Sequence, residues 1–233
     1  MRELKFEQHT PEWHAVRASM PTASEVKRIV TTKGEVSKQR QAYMYSLAAR
    51  SVSGVTIEGY QSKSMEEGIR REAEARRVYA MFRETPVQEV GFCIRDIESA
   101  DGQEIIAQAG CSPDGLVGED GGLELKNPED GTHAGYLLSN RLPTQYFIQV
   151  QTSLWVTERQ WWDFVSHYPG LPLFVVRVYP DEKFHAVLDV EIPRFCAELE
   201  EVRQQLQATQ GQLAVEVGAA VEGADGKLSF GPK

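Results

Sequence analysis

The sequence predicts an α/β fold, a mixed central β-sheet flanked by helices, on three observations. A chain of 233 residues with 41% hydrophobic content is long and apolar enough to bury one substantial core. Short apolar runs bounded by glycine and aspartate, at 87–96, 104–109, 123–126, 161–168 and 173–179, have the length and punctuation of strands. Between and around them, residues 10–20, 64–82, 144–157 and 195–206 carry apolar positions at helical spacing. One domain is expected over 1–209, with 210–233 as a glycine-rich C-terminal tail or intersubunit arm.

In chain order, Thr10-Pro11 reads as an N-cap followed by proline at the first helical position, opening a short helix that carries Trp13 and Arg17 on one face. Pro21 stops it. Thr22-Ala23-Ser24-Glu25 has the form of a capping box, so a second helix is expected there, with Ser24 in its first turn, where unpaired amides favour an anion. Residues 31–40 are polar and read as a loop. Ser64 and Glu67 form another capping box, opening a long helix. On it Met65 and Tyr79 fall within about 20° of Glu72, so Glu72 points along the apolar stripe. A carboxylate there requires a cation, which Lys126 or a metal would supply; alternatively Gly68 bends the helix and frees Glu72 to water. Strands at 87–96 and 104–109, turned at Asp101-Gly102, lead into Asp114.

The stretch CSPDGLVGEDGGLELKNP, residues 111–128, carries the most chemistry. Its glycines allow the chain to turn back after Asp114, and the strand 123–126 puts Glu124 and Lys126 on one face. Asp114 can then approach Glu124. Two carboxylates with room for water suit Mg²⁺, with Mn²⁺ as a substitute; a solvated hairpin edge is the plainer alternative. On the helix 144–157, Gln149 shares a face with Tyr146 and Ser153, either as a site residue or as an ordinary helical glutamine. His167 and His185 have no spaced partner and are expected to be structural or solvated. Phe195, Leu199, Val202 and Leu206 mark a late helix.

Composition excludes several classes. No apolar run reaches the ~18 residues of a spanning helix, and the N-terminus lacks the apolar centre of a secretory signal, so a soluble, cytoplasmic protein without membrane contact is expected. Cys93, Cys111 and Cys196 are too few and too scattered for a disulfide framework, a zinc site or a four-thiolate iron–sulfur cluster, and read as small buried hydrophobes. The net charge of −9 divides unevenly: residues 1–80 hold 14 Lys and Arg against 10 Asp and Glu, residues 81–233 hold 11 against 24. A mild N-terminal excess of positive charge suits a groove that touches few phosphates at a time.

Pro113-Asp114 followed by Glu124-Leu125-Lys126 resembles the PD-(D/E)xK nuclease motif. WHAVRASMPTASEV at 13–26, SPDGL at 112–116, GLELKNP at 122–128 and QVQTSLWVT at 149–157 resemble, in the same order, the blocks of the phage lambda exonuclease and YqaJ-like viral recombinase family. The resemblance spans roughly the first 200 residues. It implies a restriction-endonuclease-like core and a Mg²⁺-dependent 5′-to-3′ exonuclease that degrades one strand of linear duplex DNA. The surviving 3′ overhang would be taken up by a phage-type single-strand annealing protein, and the enzyme would be a homotrimeric ring. Site roles are implied as well. Asp114, Glu124, the Leu125 carbonyl and Glu72 would hold the metal, Lys126 would position water, and Gln149 would assist the water or the scissile phosphate. Arg17, Ser24 and Ser112 would bind the 5′-phosphate of the DNA end, with Trp13 as a wall of that pocket or a base contact. Two other readings stand beside it: a nicking or structure-specific endonuclease on the same core, and an inactive DNA-end-binding recombination scaffold. Retention of Asp114, Glu124 and Lys126 together argues against the last.

Overall fold

The structure, a computed structural model, describes the backbone of residues 1–54 and 63–223, and the side chains of these except 63–67, 69 and 213–223. Strand β1 (Arg2–Leu4) precedes helix α1 (Pro11–Ser19), which begins as the sequence requires: the Thr10 hydroxyl accepts from the Trp13 N–H at 3.3 Å with Pro11 at the first position. The expected helix after Thr22 does not form. Thr22 is drawn into a β-bridge with Gly110, whose carbonyl accepts from the Ala23 N–H at 2.9 Å, and the chain makes only a 3-10 turn over Val26–Arg28. Long-range strand pairing takes the backbone groups that a helix would have used.

Helix α2 (Arg40–Ser53), which was not expected, buries Tyr43, Met44, Leu47 and Ala48. Helix α3 (Lys63–Arg83) covers the long helix read from the sequence; the capping box Ser64–Glu67 and the Met65 contact lie outside the described side chains. Strands β2 (Phe92–Glu98) and β3 (Ile105–Cys111) pair antiparallel, with Gly102 at φ +69° in the connecting turn. Strands β4 (Gly115–Val117) and β5 (Gly121–Lys126) form the hairpin, helices α4 (Asp130–Ser139) and α5 (Thr144–Thr157) cross over, and β6 (Trp161–Ser166) and β7 (Phe174–Val178) follow. Helix α6 runs from Glu182 to Gly223 with Pro193 inside it. It is far longer than the 195–206 stretch read from sequence, and the expected division at 209/210 falls within it.

The strands divide between two sheets, β1-β2-β3, all antiparallel, and β4-β5-β6-β7, in which only β5 and β6 are parallel. Ser112-Pro113-Asp114 carries the chain from one to the other; proline, lacking an N–H, cannot continue a ladder. A bridge between Gln88 and Leu116 ties the segment before β2 to β4. The larger core gathers α2, α5 and α6 around Trp155, Trp162, Tyr43, Phe164 and Phe195. A smaller one, under α3, contains Ala75, Tyr79, Leu123, Leu125 and Val165. Each leucine buried there contributes about 1.5 to 3 kcal/mol, which fixes the face that β5 turns inward. No helix among the described residues is long and apolar enough to cross a membrane.

Candidate active site

Because Leu123 and Leu125 enter the core under α3, strand alternation sends Glu124 and Lys126 to the opposite face. Asp114, at the foot of β4, is bound to the same strand twice. Its N–H donates to the Leu123 carbonyl at 3.1 Å, and its Oδ2 accepts from the Leu125 N–H at 2.6 Å. An extended residue turns its N–H and C=O to the same strand edge, so the Leu125 carbonyl lies on the Asp114 side. Gly118 turns the hairpin at φ +57°.

Glu124 is only 2% exposed. Its Oε1 accepts from Lys126 Nζ at 2.5 Å and from Gln149 Nε2 at 2.6 Å, so the glutamine on α5 reaches the strand across the site. The Lys126 ammonium also lies 5.5 Å from the Tyr146 ring centroid. Glu72 is half-buried, and its Oε1 pairs with Arg76, one turn along α3, at 2.7 Å. Arg76 donates further to the Asp114 backbone carbonyl at 2.7 Å and pairs with Glu89 at 2.9 Å. Its four-residue spacing from Glu72 was the available sequence signal.

Burial raises the carboxyl groups against the pull of their cations. Asp114 is pushed up to about 6, burial exceeding the opposing effect of Lys126, with the Glu72 charge adding to it. Glu124 is pushed up to about 7 by burial, with Lys126 opposing and Asp114 reinforcing. Glu72 also moves up, chiefly by burial against Arg76. Burial would lower Lys126, but the Glu124 and Asp114 charges overcome it and hold the ammonium protonated beyond its ordinary range. Lys126 is therefore held as a cation and hydrogen-bond donor beside Glu124.

Residues expected to hold a DNA end converge as well. Arg17 donates to Ser112 Oγ at 3.1 Å and to Ser24 Oγ at 3.0 Å, and Trp13 Nε1 donates to the same Ser112 hydroxyl at 2.8 Å. The guanidinium stacks over the Trp13 ring, 4.4 Å from its centroid. Ser24 contributes its hydroxyl only, because it sits in a turn and no helix N-terminus stands behind it. One cavity of about 150 Å³ is lined by Trp13, Arg17, Ser24 and Ser112 together with Glu72, Asp114, Glu124, Lys126 and Gln149. Gln8, His9, Ala23 and Ser153, none of them expected at the site, complete it. A second cavity of about 430 Å³ adjoins it and shares Gln8, His9, Glu72 and Asp114.

The donor set fits a hard divalent cation. Among the described residues, Asp114 Oδ1 and Glu124 Oε2 accept no hydrogen bond, although both carboxylates line the cavity. Two carboxylates and a carbonyl, with the remaining positions left to water and phosphate, suit Mg²⁺ better than an all-protein cage. No three His, Cys, Asp or Glu among the described residues come within reach of one ion, and Glu72, whose Oε1 accepts from Arg76, lines the same cavity.

Comparison with known proteins agrees with this geometry. The sequence pattern of the YqaJ-like viral recombinase domain matches residues 12–160. The structure is similar to that of LHK-Exo, an alkaline exonuclease from Laribacter hongkongensis also solved in complex with dAMP. The TM-score is 0.72 at 33% identity, covering 88% of this chain and 100% of that one. A phage-related exonuclease from Haemophilus somnus 129PT shares the fold at 14% identity and a TM-score of 0.54, covering 82% of this chain and 96% of that one. No curated protein matches the sequence. The architecture is the restriction-endonuclease-like one, sheets flanked by helices.

Proposed function

The chain belongs to the YqaJ-like viral recombinase family and is a nuclease, and on that premise we propose that it is a divalent-cation-dependent 5′-to-3′ exonuclease of linear duplex DNA. The observation that carries this reading is the single cavity, in which the paired carboxylates and their lysine stand beside a cluster of Arg17, Ser24 and Ser112 suited to a terminal phosphate. Asp114, Glu124 and the Leu125 carbonyl would hold Mg²⁺, or Mn²⁺, which when bound polarises the scissile phosphate and lowers the pKa of water.

The chain's own groups do the rest. Arg17 offers a planar, permanently charged donor set to a terminal 5′-phosphate, and the two hydroxyls add short donors. Trp13 backs the guanidinium. Lys126, protonated and anchored on Glu124, offsets charge that builds on the pentacovalent phosphorus and orients the attacking water. Gln149 fixes the Glu124 carboxylate and presents its amide to the same space. Water adds to phosphorus as the bond to the 3′ oxygen of the terminal nucleotide breaks. The products are a 5′-mononucleotide and a strand that again begins with a 5′-phosphate.

Linear duplex labelled at one 5′ end and one 3′ end, incubated with Mg²⁺ or EDTA, tests the proposal. Loss of the 5′ label as mononucleotide, in Mg²⁺ alone, is expected, with the 3′ label kept on a shortened strand and a covalently closed circle untouched. Cutting of the closed circle would mean an endonuclease; binding without hydrolysis would mean a scaffold. The reading extends to a homotrimeric ring that passes the surviving strand to a single-strand annealing protein, and light scattering of the purified protein checks the trimer.

A further inference from the structure

Among the described residues, four other than glycine have a left-handed backbone: His9, Glu84, Asn140 and Glu158. Three of them directly follow helices α3, α4 and α5, where that conformation commonly ends a helix. His9, at φ +67°, does not; it stands just before the N-cap of α1. It stands in the turn closed by the Thr10 hydroxyl, which donates to the Glu7 carbonyl at 2.9 Å.

The His9 side chain lies where the two cavities meet. Of the four residues common to both, Glu72 and Asp114 are the site carboxylates, and Gln8 is engaged by its amide with the Val90 and Pro113 carbonyls at 3.0 and 2.8 Å. His9 alone of the four has a side chain without a hydrogen bond to the described residues. Its half-buried ring packs 5.0 Å from Trp13, the residue against which Arg17 stacks. Burial, and secondarily the Arg17 charge, lower its pKa, so the ring carries one N–H donor and one bare nitrogen at neutral pH.

We propose that His9 is a positioning residue for the departing nucleotide, its ring hydrogen-bonding the sugar–phosphate backbone between the 5′-phosphate held by Arg17, Ser24 and Ser112 and the scissile phosphate at Asp114 and Glu124. The proposal rests on the exonuclease reading and adds to it a contact on the nucleotide being removed. A backbone contact is indifferent to base identity, as an enzyme that degrades any sequence requires.

Three substitutions test it. His9→Gly suits the left-handed backbone and so preserves the fold, His9→Asn tolerates that backbone and keeps a donor and an acceptor, and His9→Phe keeps an aromatic ring without either. Calorimetric titration with dAMP in Mg²⁺, and steady-state degradation of 5′-phosphorylated linear duplex, are the readouts. His9→Gly and His9→Phe are expected to weaken dAMP binding and to lower kcat/KM by about tenfold, with unchanged Tm or a higher one for glycine, while His9→Asn stays within about threefold of the parent. Parental dAMP affinity and kcat/KM in His9→Gly would overturn the proposal, and so would full activity in His9→Phe, which would make the contact a stacking one. A parent protein that neither binds dAMP nor degrades 5′ ends would remove the exonuclease reading, and this proposal with it, before any variant is made.

Discussion

Glu124 and Lys126 show how one strand sets up a reactive site: a carboxylate buried to 2% exposure is tolerable because an ammonium and an amide both bind the same oxygen. Asp114→Ala, Glu124→Ala and Lys126→Ala are each expected to lower turnover on the order of a thousandfold or more in a gel-based nuclease assay. Lys126→Ala also leaves Glu124 without its cation, so its Tm should fall as well. The acid groups make stability depend on pH. Their folded-state values, about 6 for Asp114 and about 7 for Glu124, lie above the ordinary carboxyl range near 4, so their contribution in the metal-free protein is complete below about pH 4 and lost as pH rises through 6 and 7. A divalent cation competes with those protons. The Tm gained by Mg²⁺ over EDTA should therefore be near zero at pH 5 and about 5 °C at pH 8 with saturating metal; a gain independent of pH would remove the carboxylates as ligands. For the phosphate cluster, 5′-phosphorylated duplex should be degraded faster than 5′-hydroxyl duplex, and Arg17→Ala should lose most of that preference, a change on the order of tenfold to a hundredfold. Equal slowing of both substrates in Arg17→Ala would make it a general backbone contact.

At the scale of the element, β5 depends on what its flanking strand leaves no room for. A Cβ on Gly122 would stand 2.1 Å from the ring of Trp162, which is wholly buried and cannot swing aside. Gly122→Ala should therefore cost about 1 to 3 kcal/mol by overpacking and lower the Tm by roughly 2 to 4 °C for each kcal/mol, in contrast to Gly131→Ala, which meets open space. Equal Tm values for the two variants would show that the Trp162 ring relocates. Two glycines in one strand, at 121 and 122, thus read less as turn residues than as seats for Trp161 and Trp162 across the parallel pair.

At the scale of the whole molecule, α2 and α6 are clamped by Arg40, whose guanidinium bonds Glu191 at 3.1 Å and Glu198 at 3.1 Å and lies 5.2 Å from the Phe195 ring centroid. With Arg40 at 7% exposure, Arg40→Ala leaves a largely buried Glu191 with only the exposed Arg194, at 3.7 Å, and should cost about 3 kcal/mol in urea denaturation. Activity per folded molecule should be retained, because α2 and α6 contribute no residue to the site cavity. A loss below about 1 kcal/mol would indicate that the pair was already solvated.

Much of this chain follows local rules. The cap at Thr10, the bounds of α5, the strands that became β6 and β7, and the alternation that pairs Glu124 with Lys126 all follow from dihedral preference and periodicity, which neighbouring residues decide among themselves. The residues that the family resemblance pointed to, Trp13, Arg17, Ser24, Glu72, Ser112, Asp114, Glu124, Lys126 and Gln149, are brought around one cavity by the fold. Tertiary structure decided what depends on competition between distant groups. Gly110 captured the strand edge at Thr22 and cancelled a well-formed capping box, Arg76 took the carboxylate of Glu72, and Pro113 broke the strands into two sheets. His9 gave no local signal at all, since its place between two cavities exists only once β3, α1 and α3 have come together. A backbone hydrogen bond or an ion pair goes to whichever partner the packed chain brings nearest, and no window of neighbouring residues contains that information.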